Sequence, residues 1–76
     1  MRDSINFMEL TKRQKEVLTF VKASITCKGF PPTRAEIAKH FGWESITAAH
    51  GHLLALERKG VITIAPGISR GIAICK

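Results

Sequence analysis

Residues 33–60, TRAEIAKHFGWESITAAHGHLLALERKG, contain two helix starts and two helix stops within 28 positions. Thr33 and Glu36 have the spacing of a capping box, in which the threonine hydroxyl accepts from the third helical amide and the glutamate reaches back. Ile37, Ala38 and Phe41 supply a buried face, and Gly42 can take the left-handed conformation that ends a helix. This predicts a short helix over 34–41. Ser45 is the next cap, so only residues 42–44 connect it to a third helix at about 46–59, closed by Gly60 after Arg58 and Lys59, whose charges suit the carboxyl end of the helix dipole. A connection this short between two helices is that of a helix-turn-helix.

At 100° per residue, Ile46, Ala49, Leu53 and Leu56 fall on one face of the third helix, which is the predicted core face. Gly51 lies almost opposite, beside Thr47, Leu54 and Arg58, with Ala48, His50 and Ala55 on the flanks. Glycine inside a helix costs about 1 kcal/mol relative to alanine. Its presence there is explained if the backbone must closely approach something else, or if packing elsewhere holds the helix.

Upstream, Pro31 and Pro32 forbid helix continuation. Before them, Thr11 and Gln14 form another capping box, followed by a stripe of Val17, Leu18, Val21 and Ile25 that ends near Gly29. The expected first helix has about fifteen residues. Downstream, the period changes to alternation: VITIA at 61–65 buries Ile62 and Ile64, Pro66 and Gly67 mark a turn, and GIAIC at 71–75 repeats the pattern with Ile72 and Ile74. A lone hairpin is barely stable in water and must rest on the helices. The fold class is therefore mostly α with a small β-hairpin: three helices plus a two-stranded wing, a winged helix-turn-helix occupying 1–76 as one domain, with residues 68–70 at or beside the wing tip.

Composition bounds the function. Twelve Lys and Arg against six Asp and Glu give a formal charge of +6 and a pI near 9.9, which favours a polyanionic partner, nucleic acid first. Two cysteines, Cys27 and Cys75, no CxxC and no signal-like apolar stretch predict free thiols and a cytoplasmic protein. His50 and His52 are two residues apart, which points them away from each other on a helix, so no metal site and no cofactor are expected. Ser45 is accounted for as a cap, Ser69 lies in a turn, and no acid is spaced to orient a histidine. Catalysis is not expected.

The segments PPTRAEIAKHFGWES, AAHGHLLALERKGVI and GISRGI, in that order and spacing, resemble the amino-terminal DNA-binding domain of the LexA repressors, over about residues 8–75. The resemblance implies repression through binding of palindromic operators by a dimer, with helix three in the major groove. Matched position by position, it implies base contacts by Ser45, Thr47, Ala48, His50 and Gly51, with the wing over the backbone. Arg34, Arg58, Lys59 and Arg70 should ring that face and meet phosphates. Two departures qualify the match. The family's carboxyl-terminal, self-cleaving domain has no counterpart in these 76 residues, so no autoproteolysis is expected of them. Family members usually carry polar or acidic residues at the positions of His50 and Gly51, and often proline at that of Ile46, which fits a relative with an operator of its own or a stand-alone or phage-encoded regulator. The alternative is a winged-helix protein-interaction module, which an exposed apolar patch around Leu54 would favour. His52 lies nearer the core side and is expected to be structural.

Overall fold

The computed structural model describes residues 10–75; the outer residues of the predicted 1–76 domain lie outside the described residues. Three helices precede a hairpin: α1 (Lys12–Lys28), α2 (Arg34–Phe41), α3 (Ile46–Arg58), β1 (Ile62–Ile64) and β2 (Ile72–Ile74). The strands are antiparallel, pairing Ile62 with Ile74 and Ile64 with Ile72. This is the winged helix-turn-helix predicted from the sequence.

Each helix starts where a side chain satisfies its first free amides. Thr11 and Gln14 close a reciprocal box at α1, and Thr33 and Glu36 close one at α2. At α3 the Ser45 hydroxyl accepts from the Thr47 amide at 3.0 Å. Gly42 ends α2 at φ 74°, a left-handed conformation that costs glycine little, and the following Trp43 amide donates to the Ala38 carbonyl at 2.8 Å. These bonds fix the tight turn into α3.

The core joins all the elements: Val17, Leu18 and Val21 from α1, Ile37 and Ala38 from α2, Ala49, Leu53 and Leu56 from α3, Ile62 and Ile72 from the hairpin, and Leu10 ahead of α1. Burying a Leu, Ile or Val side chain contributes roughly 1.5–3 kcal/mol. The hairpin therefore draws its stability from Ile62 and Ile72, while Ile64 and Ile74 pack half-buried against the same cluster.

One helix-face expectation needs correction. Ile46 is not in the core but 51% exposed. Its direction around the axis matches that of Ala49 and Leu53, yet it is the first residue of α3 and lines a surface cleft with Thr33, Arg34, Ala35 and Ser69.

Candidate nucleic-acid interface

On α3, the core stripe of Ala49, Leu53 and Leu56 directs the opposite face outward. Ser45, Thr47, Ala48 and Gly51 are all exposed there, and His50 is half-buried at the margin. Of the five residues matched as base-facing, four are exposed and His50 is half-buried against Arg34. A Cβ built on Gly51 meets nothing within 4 Å, so no protein group requires glycine at that position. The Ser45 hydroxyl already accepts from a backbone amide, which leaves its O–H available as a donor.

Arg34, the first residue of α2, reaches across to α3, where its Nη1 donates to His50 Nδ1 at 3.1 Å. Both residues border a cleft of about 230 Å³ between α3 and the wing, whose other walls include Leu53, Ile64 and Ile68. Arg58 is exposed in the last turn of α3, and the half-buried Lys59 caps that helix.

Arg70 is placed differently from the other basic residues. Its Nη1 and Nη2 donate to the two carboxylate oxygens of Glu36 at 2.8 and 2.7 Å. Nη1 also donates to the Pro31 carbonyl at 2.9 Å, and the guanidinium lies 4.7 Å from the centre of the Phe30 ring, within cation–π range. The bond from Arg70, aided by the Thr33 amide, lowers the Glu36 carboxyl from 4.5 to about 2, and Glu36 in turn raises Arg70. Arg70 thus spends its donors on Glu36 and Pro31 at the surface of the protein, and the residue ties the wing to the start of α2.

A second tether comes from Glu57 of α3, whose carboxylate accepts from the Ile64 amide of β1 at 3.1 Å. The wing tip is closed by the Ala65 amide donating to the Gly71 carbonyl at 2.7 Å and the Gly71 amide to the Ile68 carbonyl at 3.1 Å. Ala65 sits so close that a Cβ on Gly71 would lie 2.9 Å from its Cβ and its carbonyl oxygen. Reasoning from sequence missed Glu57 and the wing-anchoring role of Glu36. Glu36 was visible only as a local cap, and nothing in the spacing of Glu57 singled it out.

The remaining histidines are absorbed by ring packing. His40 stacks on Phe20 at 4.0 Å, and His52 stacks on Trp43 at 4.9 Å, the structural place expected for it. Among the described residues no group of three His, Cys, Asp or Glu could hold a metal ion, and no helix is long and apolar enough to cross a membrane. Leu54 is 40% exposed on the outer side of α3.

The family model described as LexA DNA binding domain matches residues 7–71. The chain is 55% identical over 67 residues to LexA repressor 1 of Pseudomonas putida, covering 88% of this chain and 33% of that protein. It is 56% identical over 66 residues to the LexA repressor of Pseudomonas aeruginosa (87% and 32%) and 57% identical over 65 residues to that of Pseudoalteromonas atlantica (86% and 31%). The chain thus spans about a third of the length of these relatives. A helix-turn-helix with an exposed, small-residue face on α3, a tethered wing and a family match over most of its length make this chain a member of the LexA DNA-binding domain family.

Proposed function

We propose that this chain binds duplex DNA sequence-specifically as the operator-reading domain of a LexA-type transcriptional repressor, with α3 in the major groove. The observation that carries this reading is the exposed face of Ser45, Thr47, Ala48 and Gly51, bordered by His50 and Arg34, on the helix that the short 42–45 turn sets out from the core. A major groove about 12 Å wide admits one helix, and small residues let its backbone sit deep enough for hydroxyl, methyl and imidazole groups to reach base edges.

Ser45, Thr47, Ala48, His50 and Gly51 form the reading surface. Arg34, Arg58 and Lys59 meet phosphates at its borders, while Arg70 serves that contact chiefly by holding the wing in position. A single module of this size buries about 600–1,000 Å² on DNA, so repressor affinity calls for two copies on a two-fold operator. The protein acts in the cytoplasm, at the nucleoid, and performs no catalysis.

Binding measured by fluorescence anisotropy against salt tests the division of roles. Arg58→Ala should weaken binding to all duplexes and reduce the slope of log affinity against log salt by about one phosphate's worth. Thr47→Ala should change the preferred sequence and leave the slope in place. Equal salt slopes for wild type and Arg58→Ala, with no sequence dependence in either, would overturn the reading.

A further inference from the structure

The bond between Arg34 and His50 has a direction that determines what His50 can offer to DNA. A guanidinium carries only donors, so at 3.1 Å His50 Nδ1 must be the acceptor. The proton of the neutral ring then sits on Nε2, at the other nitrogen of the imidazole. Arg34 is the first residue of α2 and His50 lies in the second turn of α3. The helix-turn-helix packing therefore fixes an arrangement that neither helix could impose alone.

We infer that Arg34 is a positioning residue that makes His50 a dedicated hydrogen-bond donor toward the groove, and that this selects guanine at the base His50 reaches. The inference rests on the DNA-binding reading above. In the major groove guanine presents two acceptors, N7 and O6, and no donor. Cytosine presents its N4 amino group, which would set donor against donor. Adenine offers N7 beside an N6 amino group, and thymine offers O4 beside a methyl group, so both rank between. Without Arg34 the imidazole could turn or place its proton on either nitrogen, and the discrimination would fade.

The test starts from a duplex that the wild-type protein selects from a random pool. The position at which His50→Ala loses selectivity is then varied through all four bases. Wild type should favour guanine over cytosine there by about tenfold, the scale of one specific base contact. Arg34→Ala should bring that ratio within about twofold while leaving preferences at the other half-site positions unchanged, and the double variant should be no less selective than His50→Ala alone. Arg34 is exposed, and circular dichroism is to check that each variant is folded. An unchanged guanine-to-cytosine ratio in Arg34→Ala, whatever overall affinity is lost with its phosphate contact, a wild-type preference for cytosine, or no position sensitive to His50→Ala would overturn the inference alone. No sequence preference at all in the wild type would overturn the DNA-reading function, and this inference with it.

Discussion

Glu36 and Arg70 stand 34 residues apart in the chain and 2.7 Å apart in space. The same carboxylate that accepts from the Thr33 amide to start α2 accepts two guanidinium bonds from the wing. One acidic side chain thus sets both the start of the helix-turn-helix and the place of the hairpin beside it.

This arrangement separates two roles for Arg70. If the residue acted only as a phosphate contact, Glu36→Gln would release its charge and strengthen binding. If it acts by holding the wing, Glu36→Gln and Arg70→Ala both weaken DNA binding. The second outcome is expected, together with faster hydrogen exchange of the amides in 65–71 and little change in α1. Glutamine still suits the capping box, so α2 should remain intact.

The pair also predicts a pH dependence. The Glu36 carboxyl lies at about 2 in the fold against an ordinary 4.5, chiefly because Arg70 bonds to its charged form. A depressed carboxylate contributes stability that is fully present above pH 4.5 and is lost as pH falls through about 2. In melts recorded across that window, wild type should lose a component of stability that Glu36→Gln lacks. Parallel curves for the two proteins would contradict the pairing.

Gly51 should separate stability from function. With open space around the added methyl group, Gly51→Ala should stabilise the fold by about 1 kcal/mol in urea denaturation and at the same time weaken binding to a preferred duplex. A stabilised variant with unchanged affinity would show that the glycine is merely tolerated on an exposed face.

Gly71 should behave in the opposite way. A methyl group there meets Ala65 backbone and side chain at 2.9 Å, so Gly71→Ala must displace the wing tip. Loss of the Ala65–Gly71 hydrogen bond, read as rapid exchange of the Ala65 amide, should accompany weaker DNA binding. Core packing of α1 to α3 should persist, because Ile62, buried in that core, lies at the hairpin base, away from the turn.

The parts of this architecture that are local in sequence were legible in it. The capping residues Thr11, Thr33 and Ser45 mark all three helix starts, and alternating isoleucines mark the hairpin. Periodicity gave the direction in which Ile46 points but not how well it is covered there, and its neighbours leave the first residue of α3 half exposed. Leu10 and Ser24 are buried although neither belongs to the predicted stripe. The bonds of Arg34 to His50, Arg70 to Glu36 and Glu57 to Ile64 join elements through tertiary packing, which no spacing rule encodes. The exposed face of α3 could be placed by angle alone, whereas the chemistry that each side chain presents depends on these cross-element contacts.

The most direct measurement is selection from a random duplex pool by the wild-type protein at near-physiological salt, followed by sequencing of the bound fraction. Enrichment of a two-fold repeat, with a half-site distinct from that of the family, is the predicted result. Retention of DNA without enrichment of any sequence, or no retention at all, would contradict the claim that α3 reads an operator.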